Sequence, residues 1–165
     1  MEKKNYYSDP WKRQPWMYSK PGGSNFLKEW KEKWGKFLLD YAEAHNINII
    51  NINDLNTLKP FNKLNKSAIQ DIILYLNTSG FIKYWDKNNN LLRIYWRSLD
   101  EWGDYIFNLL KEKNRNIIYG IESLYDLDDK IIKIPINDIE KIFGILVEKK
   151  LAKWIEKENN ILKII

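Results

Sequence analysis

Side chains that carry most enzyme chemistry are scarce in this sequence of 165 residues. It contains no cysteine, which excludes disulfides, thiolate metal sites and cysteine nucleophiles. His45, the only histidine, follows a predicted helix and is expected to be a surface or capping group rather than a catalytic base. Carboxylates are plentiful, but none belongs to a glycine-rich phosphate loop, a metal-ligand spacing or a nucleophile elbow. We therefore predict that the protein is not an enzyme and that it has no catalytic residue, no metal and no cofactor.

The aromatic residues point to binding instead. Phe, Trp and Tyr make up 15% of the chain, which is more ring surface than two small cores usually hide. Residues 1–23 combine such rings with prolines: Tyr6, Tyr7, Pro10, Trp11, Pro15, Trp16, Tyr18 and Pro21. Prolines remove amide donors and favour extended backbone, so we predict an extended arm rather than a helix. Its rings could anchor the arm on another protein, because they offer large area at little entropic cost, or could pack only on the arm's own domain.

Charge is distributed unevenly along the chain. The formal net charge is +5, but residues 1–97 carry 16 Lys/Arg against 9 Asp/Glu, whereas residues 98–165 carry 11 against 13. A uniform polyanion-binding surface is therefore not expected. The first ten residues have no apolar core typical of a signal peptide, and no apolar run approaches about 18 residues, so neither a signal peptide nor a membrane span is predicted.

Apolar periodicity predicts the elements that must position these side chains. For the first half it predicts a long helix capped by Ser24 or Asn25, a β-prone stretch at 48–52, a brief helix capped at 53–54, a helix from Asn65 to Gly80, and two strands within 81–96. Three helices followed by a β-hairpin are the outline of a winged helix.

One stretch, from Leu91 to Leu110, joins the two halves. It begins as an alternating strand, with Leu92, Ile94 and Trp96 on one face and Arg93, Tyr95 and Arg97 on the other. At Ser98 the period changes to that of a helix, and Ser98 followed by Glu101 forms a capping box. The sequence therefore predicts a domain boundary between residues 97 and 98.

A shift of 70 residues superimposes much of the first half on the second. Ile69, Ile72 and Leu76 fall on Ile139, Ile142 and Leu146, and the hairpin strands follow in register. This predicts helices at 99–111, 121–125 and 136–149, and a hairpin at 151–165. The predicted fold is α+β and predominantly helical, with tandem winged-helix domains at 24–97 and 98–165 preceded by the arm at 1–23.

The joint IYWRSLDEWGDYIFNLL resembles the hydrophobic-W-R-x-x-x-E-W-G-x-x-I segment of the vacuolar protein sorting 25 family, the smallest subunit of ESCRT-II. The preceding LNKSAIQDIILYLNTSGFIKYWD is similar to that family's third helix and first wing strand. An aromatic and proline-rich arm also lies where the family has its own. That arm typically carries Pro-Pro-x-Phe-like motifs, whereas here single prolines precede Trp11 and Trp16.

This resemblance implies a non-catalytic adaptor in protein sorting and membrane remodelling. In the family, the arm and first winged helix dock on the larger ESCRT-II subunits, and the second winged helix binds the first helix of an ESCRT-III subunit. It implies a cytoplasmic protein that reaches membranes only indirectly, through its complex. The core-docking candidates carried over are Pro10, Trp11, Pro15, Trp16, Tyr18 and Arg97.

The resemblance also implies a basic ESCRT-III helix as partner, and the second half of this chain is acidic. Candidates for that contact are Asp126, Asp128 and Asp129 in a predicted loop, with Asp138 and Glu140 on the first turn of the next helix. Such a cluster could steer a basic helix. Alternatively, these carboxylates only cap and solvate a helix start, each contributing about 0.3–1 kcal/mol.

A winged helix can also bind nucleic acid, with its third helix in the major groove. The first domain offers Lys63 and Lys66 beside Asp71 near that face, whereas Asp138 and Glu140 of the second would repel phosphate. Both predicted wing turns are rich in Asn and poor in Arg. This is the alternative function, and nucleic acid is not expected as a partner.

Overall fold

The computed structural model describes residues 15–165, apart from the side chain of Trp16. Pro10 and Trp11 lie outside the described residues. The chain divides into two compact units between Trp96 and Arg97.

Within residues 15–96, the first unit contains three α-helices and a three-stranded antiparallel sheet. Its elements are α1 (Ser24–Ala44), β1 (Ile49–Asn51), α2 (Ile52–Thr57), α3 (Lys66–Thr78), β2 (Ile82–Tyr84) and β3 (Leu91–Ile94), with 3-10 turns at Pro15–Tyr18 and Phe61–Lys63. The strands lie in the order β1-β3-β2. The side chain of Asn65 accepts a hydrogen bond from the Ala68 amide at 2.7 Å, as predicted for the cap of α3. Gly80, with φ of +83°, ends that helix in the left-handed conformation that glycine adopts readily.

The second unit repeats this plan. Its elements are α4 (Leu99–Glu112), β4 (Ile117–Tyr119), α5 (Asp129–Ile132), α6 (Ile136–Glu148), β5 (Ala152–Glu156) and β6 (Ile161–Ile164), with a 3-10 turn at Ile121–Leu124. Its strands lie in the order β4-β6-β5. The predicted capping box of α4 is present: Ser98 accepts from the Glu101 amide at 3.1 Å, and the Glu101 carboxylate accepts from the Ser98 amide at 2.8 Å. The predicted fold class, two tandem winged helices, is confirmed.

Strand register shows how closely the units correspond. Ile49 pairs with Arg93 in the first sheet, and Ile117 pairs with Lys163 in the second. Helices α3 and α6 have 13 residues each and lie 70 positions apart in the sequence. The strands β1 and β4 are instead offset by 68 positions, so two extra residues lie between β4 and α6.

The 68-residue offset also aligns a Trp-Gly pair in the first helix of each unit. Trp34 and Trp102 are completely buried, and each is followed by a buried glycine, Gly35 or Gly103. Gly35 lets the first helix of its unit approach the third helix closely, whereas the backbone at Gly103 leaves room for a methyl group. A Cβ at Gly35 would lie 3.0 Å from Leu76, whereas a Cβ at Gly103 would lie 3.6 Å from its nearest neighbour.

Four local predictions were wrong. Residues 15–18 form a 3-10 turn rather than extended chain, because the Met17 side chain is buried in the core of the first unit. Gly23, not Ser24 or Asn25, precedes α1, and Asn51 caps α2 through the Asn53 amide at 2.9 Å. The predicted acidic loop contains the short helix α5, which was not predicted.

We predict opposite effects for alanine at the two aligned glycines. Gly103→Ala should raise the free energy of unfolding by up to about 1 kcal/mol, because alanine favours helix and its methyl group finds ordinary contact distances. Gly35→Ala should be neutral or destabilising, since its methyl group meets Leu76 and Tyr75 at 3.0 and 3.2 Å. Denaturant unfolding of both variants measures this, and equal stabilisation by both would contradict it.

Candidate protein-binding site

The base of the arm is fixed on the first unit by a backbone carbonyl. The Met17 oxygen accepts hydrogen bonds from the indole Nε1 of Trp30 at 2.8 Å and of Trp34 at 2.9 Å. All three side chains are buried. Trp30 and Trp34 are one helical turn apart on α1, so their N–H groups converge on one acceptor with two lone pairs. We call residues 15–20 the anchor segment.

Side-chain contacts hold the rest of the anchor segment. The Tyr18 ring packs edge-on against Trp34, with centroids 5.8 Å apart, and the Lys63 ammonium lies 4.9 Å from the Tyr18 centroid. Lys20 forms an ion pair with Asp71 of α3. Tyr18 is half-buried against its own domain. For this ring, the structure therefore shows packing within the chain, one of the two roles that the sequence left open for the arm. Pro15 is exposed.

Arg93 is a buried charge in β3, where strand alternation predicted it on the face opposite Leu92 and Ile94. Its Nη1 donates to the Asn48 side-chain oxygen at 3.2 Å and to the Ile94 carbonyl at 2.5 Å, and its guanidinium lies 4.3 Å from the Tyr95 centroid. Asn48 is buried too. This group is structural, because a buried guanidinium requires such partners.

Arg97, a predicted docking residue, packs on rings of the second unit. Its guanidinium lies 4.3 Å from the Trp102 centroid and 4.6 Å from that of Tyr105. Both distances are typical of cation–π contacts. Arg97 therefore supports the N-terminal half of α4 from within its own unit.

Two predicted acidic residues are engaged in the fold of the second unit. Asp126 pairs with Arg115 through contacts of 2.5 and 3.0 Å, and this hydrogen bonding lowers the pKa of the Asp126 carboxyl. Asp128 caps α5 through the Lys130 amide at 2.8 Å and accepts a hydrogen bond from the Tyr105 hydroxyl.

The contact between Asp128 and Tyr105 accompanies a pKa shift in each residue. Burial raises the pKa of Asp128, but the hydrogen bonds from Tyr105 and the Lys130 amide outweigh it, so the pKa is lowered overall. Burial, followed by the hydrogen bond to Asp128, raises the pKa of Tyr105 to about 12. The contact therefore favours a charged carboxylate beside a neutral phenol.

The acidic candidates do not form one exposed face. Asp138 is completely buried, with Lys141 at 3.7 Å, so the prediction that it belongs to an accessible contact surface was wrong. Position on the first helical turn, which the sequence shows, does not reveal burial. Asp129 and Glu140 are exposed, and Glu140 accepts from the Asn160 amide at 3.3 Å.

Comparison with known proteins decides the family. The model of the ESCRT-II complex subunit family matches residues 14–131. The chain belongs to this ESCRT-II family. The predicted ESCRT-II membership is thereby confirmed, and the relatives that match the chain carry the vacuolar protein sorting 25 name.

Relatives and solved structures agree with the ESCRT-II assignment. The chain is 23% identical to vacuolar protein-sorting-associated protein 25 of Xenopus laevis over 128 residues, which cover 70% of this chain and 74% of the relative. It is similar to the crystal structure of VPS25, a subunit of the endosomal trafficking complex ESCRT-II (TM-score 0.70, 17% identity, 90% of this chain and 93% of the other). It is also similar to a chain of the ESCRT-II crystal structure that contains VPS22, VPS25 and VPS36 (TM-score 0.71, 16% identity, 98% and 100%). At these identities the two structures show a shared fold.

Within residues 15–165 of this ESCRT-II family member, no helix is long and apolar enough to cross a bilayer.

We predict that Asp128 makes the stability of the second unit depend on pH. A carboxyl with a lowered folded pKa contributes stability above its unfolded pKa of about 3.9 and loses it as pH falls through the folded value. Asp128→Asn keeps a capping side chain but removes the charge, and should cost about 1 kcal/mol at pH 7.

The difference between Asp128→Asn and the unmodified chain should shrink as pH falls below about 4. Thermal unfolding between pH 7 and 3 measures it, with Asp129→Asn as the exposed neighbouring control. A difference that stays constant with pH would show that the Asp128 charge contributes nothing.

Proposed function

We propose that this chain is a non-catalytic adaptor subunit of an ESCRT-II complex. Its arm and first winged helix dock on the larger ESCRT-II subunits, and its second winged helix recruits an ESCRT-III subunit for membrane remodelling. The main support is the family match over residues 14–131 together with the fold shared with VPS25. In this proposal the chain works in the cytoplasm and reaches the membrane through its partners.

The anchor segment supports a docking role for the arm. Its carbonyl bond to two indoles and its ion pair to α3 hold residue 15 at a defined place on the first unit. Rings that precede a fixed point lose less freedom on binding than rings on a free tail. Pro10, Trp11, Pro15 and Trp16 are therefore the proposed docking residues.

Tyr18 and Arg97 take supporting roles in this proposal. Tyr18 packs on Trp34 and so helps to hold the anchor segment, while Arg97 supports α4 through Trp102 and Tyr105. Neither side chain needs to enter a partner to contribute to docking.

The proposed ESCRT-III contact uses only two of the five acidic candidate residues. Asp126 and Asp128 already bind Arg115 and Tyr105, and Asp138 is buried. Asp129 and Glu140 are exposed, and exposed carboxylates act mainly by steering a basic partner. We therefore assign the steering charge to these two residues.

We predict that Trp11→Ala with Trp16→Ala weakens binding to the larger ESCRT-II subunits by about 2 kcal/mol or more, because buried indoles dominate such interfaces. Isothermal titration with subunits from the same genome measures the loss. Tyr119→Ala is the matched control, since it truncates a ring that is 69% exposed in the second unit.

Thermal unfolding separates the two roles open to these indoles. Docking indoles should leave the unfolding midpoint nearly unchanged. A large drop in the midpoint, with partner affinity intact in the remaining folded protein, would assign both rings to the chain's own core and reject the docking role.

We predict that Asp129→Lys with Glu140→Lys slows association with the ESCRT-III first helix and flattens its salt dependence, because a steering charge is reversed. Stopped-flow association at several salt concentrations measures this. Glu158→Lys, also exposed but on the wing, is the control. An association rate unchanged from that of the control would eliminate the proposed steering surface.

A further inference from the structure

The proposed function gives no role to one groove on the surface of the first unit. It has a volume of about 320 Å³ and lies over α1, the C-terminal half of α3 and the start of β2. Its aromatic lining comes from Tyr75, Phe81 and Trp96, of which Phe81 is 44% exposed. We call it the α1–α3 groove.

Acidic side chains from α1 line the same groove. Glu32, Asp40 and Glu43 contribute carboxylates, and Lys36 contributes one ammonium. That ammonium already binds Asp40 at 2.5 Å. The contact between Glu32 and Lys28 is long, at 3.9 Å, and exposed. The groove therefore has negative charge at Glu32 and Glu43 beside aromatic surface.

The second unit has different residues at the positions that correspond to the groove. Asp100 corresponds to Glu32 through the 68-residue offset, and Lys149 corresponds to Ser79, since each ends the third helix of its unit. The Lys149 ammonium lies 2.9 Å from the Asp100 carboxylate and 2.8 Å from that of Asp104. Hydrogen bonds to Asp104 and Asp100 raise the pKa of Lys149, so this ammonium stays charged.

A second lysine completes the comparison. Lys111, which corresponds to Glu43, donates to the Ile165 carbonyl at 3.0 Å and lies 5.4 Å from the Phe107 centroid. The second unit thus has lysines at the positions that correspond to Ser79 and Glu43. The first unit has a serine and a glutamate at those positions, and more aromatic lining.

We propose that the α1–α3 groove binds a basic segment of a partner protein, whose Arg or Lys side chains take the place that Lys149 and Lys111 occupy in the second unit. Rings of Tyr75, Phe81 and Trp96 cover the alkyl parts of these side chains, and Glu32 and Glu43 pair with their charges. Aromatic surface also stacks on a guanidinium, as Arg97 on Trp102 illustrates within this chain.

Helix geometry sets the spacing of the basic residues. Glu32 and Glu43 are three helical turns apart on α1, or about 16 Å at 1.5 Å per residue. An extended segment spans that distance with about five residues at 3.3 Å each. Two basic residues five positions apart therefore match both ends of the groove.

The test uses the full chain and a blocked hexapeptide, acetyl-Arg-Ala-Ala-Ala-Ala-Arg-amide, with the peptide containing citrulline at both Arg positions as the neutral isostere. Nuclear magnetic resonance titration monitors the indole N–H of Trp96, assigned with Trp96→Phe. We expect saturable shifts at groove residues and at least tenfold tighter binding of the Arg peptide. Equal binding of the citrulline peptide, shifts elsewhere, or no saturation would overturn the proposal.

Two sets of variants make the assignment specific. Glu32→Gln with Glu43→Gln should weaken Arg-peptide binding at least tenfold, whereas Glu122→Gln with Glu158→Gln, which changes two exposed carboxylates of the second unit, should not. Ser79→Lys gives the first unit the lysine that the second unit has at the corresponding position. The new ammonium should compete with the peptide for the groove and weaken its binding, whereas Ser79→Ala, the control, should not. Unchanged binding in either test variant would reject the groove as the site.

Discussion

One backbone carbonyl shared by two indoles connects the core of the first unit to its N-terminal segment. Buried tryptophan N–H groups need acceptors, and leaving one unsatisfied costs about 1–3 kcal/mol. Trp30 and Trp34 both meet this need with the Met17 oxygen, at 2.8 and 2.9 Å. The contact that completes the core therefore also fixes the place from which the arm leaves. A fixed position for the anchor segment follows from this one constraint.

Duplication gives the chain two copies of a scaffold whose surfaces have diverged. Sheet register and the buried Trp-Gly pair are common to both units. The polar surface differs: the second unit satisfies Asp100 and Asp104 with its own Lys149, whereas the first unit has Ser79 at the corresponding position.

Much of the fold could be predicted because its signals are local. The capping box at Ser98 and Glu101, the Asn65 cap and the change of period at the joint involve residues a few positions apart. The tandem organisation followed from superimposing the halves. The joint motif was specific enough to indicate the family.

The burial of individual charged side chains could not be predicted in the same way, because it depends on long-range packing. Alternation placed Arg93 on the face opposite Leu92 and Ile94 but could not show that Asn48, 45 residues away, gives it a buried partner. Asp138 shows the same problem, because an acidic residue on a first helical turn is usually exposed and this one is not. No sequence pattern could predict the role of Met17, because that role belongs to its backbone oxygen and sequence patterns describe side chains.

The central claim is that this chain is an adaptor that assembles with the larger ESCRT-II subunits. Sedimentation equilibrium of the full chain mixed with those subunits from the same genome tests it most directly. An adaptor subunit should sediment in a stable complex of defined stoichiometry that contains all the subunits. A chain that sediments alone, while the larger subunits associate with each other, would contradict it.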